Sequence, residues 1–435
     1  MKSDMTGGFL EKIGPALAEE LARCSRCGRC QAVCPVYLAT GEERLVARGK
    51  LALIEAAREG ALEPTAGFVD TISRCLLCGA CRDFCARGVP TPDIIQRVRV
   101  ASAETLGLPR FYSLLLASLS SPRLLNLAGR AGRLLQGLAG VIPGAPLSLL
   151  PWVGKYADLK LAARPFLTDL PAGLERAAGD VGLFVGCGAN YVYPEAAAAA
   201  VGLLKAAGVR PFVPPEQVCC GLPAWSAGDA ASAAELAGRN LAAFEGLERV
   251  VVLCASCAHR LRGIEGLSKV VMLSELLAER PPEGGRQPGR RLKVAYHAPC
   301  HVRFEGGAGA ARGLLASVPG VELLPVEDAC CGSGGLFSLS HPRLSAAIGR
   351  ERLRGLLAGG PDLIATDCSG CLIQLRAGLA ELGRKVPVVH VAQVGGGKNP
   401  ERHISSRKTK IERFWLCFGK MVCSGAAGEQ EIGSL

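Results

Sequence analysis

Apolar residues recur at Leu10, Ile13, Leu17 and Leu21, a spacing that puts them on one face of an amphipathic helix near the start of the chain. The run GKLALIEAAREG (49–60) carries the same helical period. Between residues 106 and 154, Leu, Gly and Arg dominate, and prolines at 109, 122, 143, 146 and 151 predict short helices in place of a long one. No stretch there reaches the roughly 18 uninterrupted apolar residues of a membrane-spanning helix. Its Leu and Arg faces suit a membrane surface or packing on protein, and a helical linker packed on its own chain or on a partner subunit is the expectation.

From about residue 180 the pattern changes to short apolar runs alternating with helices. VGLFVGC (181–187), RPFVP (210–214) and RVVVLCASC (249–257) read as buried strands, and PEAAAAAVGLLKAAG (194–208) reads as a helix closed by glycine. That alternation predicts an α/β layer. The half then repeats. KVAYHAPC (293–300) matches VGLFVGC, DACCGSGG (328–335) matches QVCCGLPA (217–224), and DLIATDCSGC (362–371) matches RVVVLCASC. The paired cysteines lie 113, 111 and 114 residues apart, so this is a duplicated domain. After residue 395 the chain turns polar and basic, and the expectation for 396–435, with Cys417 and Cys423, is a peripheral, disordered tail.

Composition sharpens this picture. The 435 residues suffice for two or three domains, and 49% hydrophobic against 20% charged residues excludes a disordered chain. A formal charge of +11 raises the question of nucleic acid, but the basic residues are dispersed and metal-bound thiolates would add uncounted negative charge, so no nucleic-acid partner is expected. Twenty cysteines are too many for core filling. The first residues show no apolar signal-peptide region, which favours metal ligation in a reducing cytoplasm over secreted disulfides.

The cysteines are organised. CSRCGRCQAVCP (24–35) has the spacing C-x2-C-x2-C-x3-C followed by proline, and CLLCGACRDFC (75–85) repeats it 51 residues later. Three thiols within seven residues can converge on one iron–sulfur cube while a distant fourth closes it. Zinc does not explain three evenly spaced cysteines plus a fourth, given twice. The spacing is that of the bacterial ferredoxin run, in which the fourth cysteine serves the other cluster. By that rule Cys24, Cys27, Cys30 and Cys85 hold one [4Fe–4S] cluster, and Cys75, Cys78, Cys81 and Cys34 the second. The second motif has Ala86 in place of the usual proline. The separation of the motifs leaves room for helices, so a helical ferredoxin domain is predicted.

The duplicated domain offers two further sets: Cys187, Cys219, Cys220, Cys254 and Cys257, then Cys300, Cys330, Cys331, Cys368 and Cys371. Each cysteine falls at a predicted strand end or glycine turn. Five coincident positions in two copies argue against structural thiols. His297 and His301 flank Cys300 and could ligate iron, carry protons, donate to a sulfur or be structural; His390, in an apolar run, reads as structural. GAGAARG (307–313), with Glu322 downstream, only loosely resembles a dinucleotide fingerprint and reads as a loop-to-helix turn.

Two such motifs followed by two CCG domains resemble the iron–sulfur subunits of membrane-associated flavin dehydrogenases, above all the glycolate oxidase iron–sulfur subunit family. YHAPCH, CCGSGGLFSLSHP and VVHVAQV strengthen the likeness, which covers residues 20 to 395. The iron–sulfur subunits of anaerobic glycerol-3-phosphate dehydrogenase and of heterodisulfide reductase share the plan. The resemblance implies residues 1–100 as a helical ferredoxin domain with two [4Fe–4S] clusters, 101–178 as a helical linker, and 179–285 and 286–395 as α/β CCG domains. It implies one or two further non-cubane [4Fe–4S] clusters, since such clusters occupy the five-cysteine sets of heterodisulfide reductases. Glycolate oxidase iron–sulfur proteins can have an incomplete first set, whereas both are whole here.

The implied role is an electron-transfer subunit, inactive alone, because no hydride-accepting site is apparent. It would pass electrons from an FAD-containing dehydrogenase subunit, oxidising glycolate or lactate, to a quinone or carrier protein. The expected place is the cytoplasm, with peripheral attachment to the inner face of the membrane. The alternative, by analogy with heterodisulfide reductase, is a catalytic role in which a disulfide is reduced at the CCG clusters.

Overall fold

The computed structural model describes residues 16–121, 124–127, 131, 161–171, 173–174, 181–267, 269–282 and 291–395. Up to residue 121 every regular element described is helical. Helix Ala16–Ala22 buries Leu17 and Leu21 of the predicted amphipathic face; Leu10 and Ile13 lie outside the described residues. Helices Ala47–Arg58, Ala66–Ser73 and Thr91–Leu106 close over them, and Ile54, Ile72, Ile94 and Val98 complete the core. Each such fully buried aliphatic side chain contributes roughly 1.5–3 kcal/mol. Helix Thr91–Leu106 runs on through residue 100.

Two four-stranded parallel sheets follow. The first contains β1 (Val181–Phe184), β2 (Pro211–Phe212), β3 (Val250–Val252) and β4 (Val270–Met272), in the order β2-β1-β3-β4. The second contains β5 (Leu292–Tyr296), β6 (Val321–Leu323), β7 (Leu363–Thr366) and β8 (Val388–His390), in the order β6-β5-β7-β8. The orders are the same once the repeat is allowed for. Gly182 pairs with Val250 in one sheet and Val294 with Leu363 in the other. Central strands covered on both faces need continuous apolar runs, which Val250–Val252 and Leu363–Thr366 supply.

The apolar runs overstate the strands. The run 181–187 leaves the sheet after Phe184, and Gly186, at φ +70°, starts a short helix, Gly186–Tyr191, that carries Cys187. The strands β4 and β8 close each sheet beyond the runs read as strands from sequence. GAGAARG forms a turn into helix Ala308–Ala316, as its simpler reading held.

The two α/β units face each other at the carboxyl ends of their strands. Ala255 N–H donates to the Asp367 carbonyl at 2.9 Å, and His390 Nε2 bonds the Leu253 carbonyl at 2.6 Å. Since Ala392 N–H donates to His390 Nδ1, both ring nitrogens are used and His390 is structural. The described start of the linker, helix Arg110–Leu119, buries Leu116 against Ala224, Ala233 and Leu336 and leaves Phe111 and Leu114 exposed. Among the described residues no helix is long and apolar enough to cross a membrane. Most of the linker and the tail with Cys417 and Cys423 lie outside the described residues.

Arg99 ties the helical unit to the first sheet domain. Its half-buried guanidinium donates to the carbonyls of Ser226 (2.7 Å), Ile72 (3.1 Å), Ser73 (2.9 Å) and Cys75 (2.6 Å). Gly228 permits this approach: it sits at φ +87°, and a Cβ there would stand 2.4 Å from the Arg99 carbonyl oxygen. Gly228→Ala should therefore cost about 2–4 kcal/mol through left-handed strain and a backbone clash. Chemical denaturation of the two proteins checks this, with Gly202→Ala, where a Cβ meets nothing within 4 Å, as the control.

Candidate metal centres

In an open parallel sheet, ligands gather where the strand order reverses, beyond the carboxyl ends of the two strands flanking that point. Here those strands are β1 and β3, and β5 and β7. Cys187 follows β1 and Cys254 follows β3; Cys300 follows β5 and Cys368 follows β7. Cys254 and Cys368 are the N-cap residues of helices Ala255–Arg262 and Ser369–Glu381, whose first turns present N–H groups and a partial positive charge to thiolates. The adjacent pairs Cys219–Cys220 and Cys330–Cys331 turn on Gly221 and Gly332, both at φ +82°. These two glycines have the conformational role expected from the CCG runs.

All ten of these cysteines line one cavity of about 210 Å³. Cys187 Sγ lies 3.9 Å from Cys219 Sγ, and Cys331 Sγ 3.2 Å from Cys371 Sγ. Across the domain pair, Cys254 Sγ and Cys368 Sγ are 3.7 Å apart, so the two sets share a common floor. The eighteen described cysteines are all free thiols. Ten convergent thiols, seven buried and three half-buried, match the donor chemistry of iron–sulfur clusters, and the residues present fit that group.

Cys78 of the second ferredoxin-type motif enters the same cavity beside Cys300. A hydrogen bond to Cys300, together with burial, holds the Cys78 thiol well above its ordinary value, and Cys300 is held well below it by Cys330 and Cys78. The glycine turn after Cys331 makes this possible: a Cβ at Gly334 would stand 2.4 Å from Leu76 Cδ2. Within the helical unit, burial raises the Cys34 thiol and the nearby Cys75 raises it further. Cys81 is raised by burial, then by Cys75 and Cys34. Cys34 therefore stands with the second motif in space, although it belongs to the first in sequence. Burial also raises Cys30, with Cys24 adding to it. Cys24, Cys75 and Cys85 border the same apolar core, and Cys27 is exposed.

Polar groups surround the cavity unevenly. His301 Nδ1 meets Ser256 Oγ at 3.2 Å, and Ser256 Oγ meets Cys368 Sγ at 3.3 Å. The His301 ring stacks on His259 at 4.2 Å, and His259 Nδ1 contacts Glu305 at 2.5 Å. His297 is fully buried; its Nδ1 accepts from Arg352 Nε at 2.9 Å, and one of its ring nitrogens lies within 4.8 Å of both Cys331 and Cys371 Sγ. Sequence reasoning singled out His297 and His301 but missed Arg352, Ser256, His259 and the entry of Cys78. None of these has a local motif; each arrives through tertiary contact.

Known proteins share both the motifs and their order. A cysteine-rich domain model, CCG, matches residues 181–262 and 294–376, and a 4Fe-4S dicluster domain model matches residues 20–89. The chain is 29% identical over 420 residues to the "Probable glycolate oxidase iron-sulfur subunit" of Bacillus subtilis, covering 86% of this chain and 93% of that one. It is 31% identical to "Lactate utilization protein A" of Geobacillus kaustophilus, covering 50% of this chain and 99% of the relative. It is 25% identical to a dihydromethanophenazine:CoB–CoM heterodisulfide reductase subunit of Methanosarcina barkeri, covering 86% and 93%.

Proposed function

The chain belongs to the CCG-domain iron–sulfur family that includes glycolate oxidase iron–sulfur subunits and Lactate utilization protein A, and from that premise we propose that it is the electron-transfer subunit of a flavin-dependent 2-hydroxyacid dehydrogenase. An FAD-containing partner oxidises glycolate or lactate, and this chain delivers the electrons to a quinone or a carrier protein. Cys24, Cys27, Cys30 and Cys85 hold one [4Fe–4S] cluster, and Cys75, Cys78, Cys81 and Cys34 the other. The five-cysteine sets beginning at Cys187 and Cys300 hold non-cubane clusters. Bound there, such clusters supply one-electron redox chemistry.

The observation that carries this reading is the placement of Cys78 against Cys300, inside the cavity lined by both CCG sets. It brings the ferredoxin-type motif and the second set within direct contact, as an electron path requires. The protein excludes water there with Leu76, Leu77, Trp225 and Ile373. A second reading, reduction of a disulfide between the facing sets, is favoured by one feature: both sets are whole and open on a common space bridged by Cys254 and Cys368.

The first test is composition. Anaerobically purified protein should carry about 16 iron atoms per chain, from four [4Fe–4S] clusters. About 8 would leave the CCG sets empty, and stoichiometric zinc without sulfide would end the iron–sulfur reading.

A further inference from the structure

The two five-cysteine sets are alike in their thiols but differ in what stands behind them. His297 lies 113 residues after Phe184, the offset that relates Cys300 to Cys187. In the first domain the Phe184 ring lies beside Cys257: a Cβ on Gly186 would touch both, at 3.1 Å from Phe184 Cε1 and 3.4 Å from Cys257 Sγ. In the second domain His297 occupies the matching place near Cys371, the counterpart of Cys257. One set thus faces an apolar ring and the other an imidazole, and both rings are fully buried.

The tautomer of His297 follows from its partner. Arg352 is always a donor, so the Nδ1 it bonds at 2.9 Å is an acceptor and the ring proton sits on Nε2. Among the described residues, Nε2, buried in the interior, makes no hydrogen bond to nitrogen, oxygen or sulfur. An unpaired buried N–H is costly, and the sulfurs of Cys331 and Cys371 lie within 4.8 Å of a His297 ring nitrogen, where a bound cluster would supply the acceptor.

We infer that His297 is not an iron ligand but a positioned N–H donor to the sulfurs of the second CCG cluster, fixed by Arg352, and that it makes this cluster easier to reduce than its twin beside Phe184. Hydrogen bonds to cluster sulfurs withdraw electron density and raise the potential. The cations follow the same asymmetry: Arg303 and Arg352 lie near the second set, while Arg260 lies near the first. Asp367 opposes them, with Tyr296 O–H donating to its carboxylate at 2.9 Å. The set next to Cys78 is then the lower-energy acceptor for an arriving electron, and the set beginning at Cys187 is the more reducing one. This inference rests on cluster occupancy of the second set.

The test is an EPR-monitored redox titration of the full chain, purified anaerobically, as wild type, His297→Phe and His297→Gln. In His297→Phe the reduction equilibrium of one cluster should fall about tenfold, ~59 mV for a one-electron couple, with iron content unchanged. His297→Gln, which keeps an N–H donor, should recover most of the shift. Pulsed EPR of wild-type protein labelled with 15N-histidine should show a weak coupling at that cluster. Loss of its iron in a folded His297→Phe protein, or a strong coupling, would make His297 a ligand and overturn the inference. Unchanged potentials at full iron content, or no coupling at all, would also overturn it. About 8 iron atoms in the wild type would instead strike the cluster reading beneath it.

Discussion

Cys300→Ser should leave substrate reduction of the partner flavin unchanged and slow reduction of the acceptor by about 100-fold or more. The first half follows from the proposed division of labour, in which two-electron chemistry belongs to a partner flavoprotein. The second half follows from position. Cys300 is the thiol that Cys78 meets, so it stands at the junction between the helical unit and the paired sheet domains. Serine keeps nearly the same volume and, on the proposed reading, removes the soft ligand. Stopped-flow reduction of the flavin and steady-state reduction of a quinone analogue, measured on one complex, separate the two halves.

Disulfide reduction predicts another outcome for the same variant. A catalytic centre between the facing sets would lose activity with an artificial one-electron donor and a small disulfide, with no 2-hydroxy acid present. Cys254→Ser discriminates further. Cys254 bridges to Cys368 at 3.7 Å and accepts the Ser369 N–H at 3.4 Å, so it lies at the meeting of the two sets, away from Cys78. If acceptor reduction survives both substitutions while disulfide reduction disappears, the electron-relay role fails for this chain.

Much of this plan was legible in the sequence because thiols repeat with their strands. The offsets of 113, 111 and 114 residues marked the duplication, and the switch-point geometry then dictates that Cys187, Cys254, Cys300 and Cys368 converge within their domains. Strand ends were less legible, since Val185 and Gly186 continue an apolar run but a positive φ ends the sheet. The union of both sets in one cavity could not be read from spacing. It depends on contacts such as Ala255 N–H to Asp367 and Gly188 against Ser369, where a Cβ would stand 2.3 Å from the serine Cβ. Arg99 and Arg352 resemble any other of the dispersed basic residues until their hydrogen bonds, and for Arg352 its burial, single them out. Phe184 and His297 were aligned by the repeat, yet only the hydrogen bond from Arg352 says which nitrogen carries the proton.

Cys34→Ser and Cys85→Ser should have exchanged effects. Each removes about four iron atoms, but from the cluster whose other three thiols lie in the other motif. The arrangement of the helical unit supports this crossing. Cys34 is the N-cap of helix Pro35–Thr40 and packs with Cys78, Leu76 and Phe337, while its thiol is raised by burial and by Cys75. Lys50, buried to 2% exposure, feels Cys75, Cys34 and Cys81 together, which groups those thiols around one point. The consequence is measurable without assigning spectra in advance. The cluster that includes Cys78 adjoins Cys300, so its reduced spin should interact magnetically with that of the second CCG set. Cys34→Ser should abolish this interaction, and Cys85→Ser should preserve it. If Cys85→Ser abolished it and Cys34→Ser did not, each motif would close on itself, and the cluster nearest the CCG cavity would be built wholly from residues 75–85.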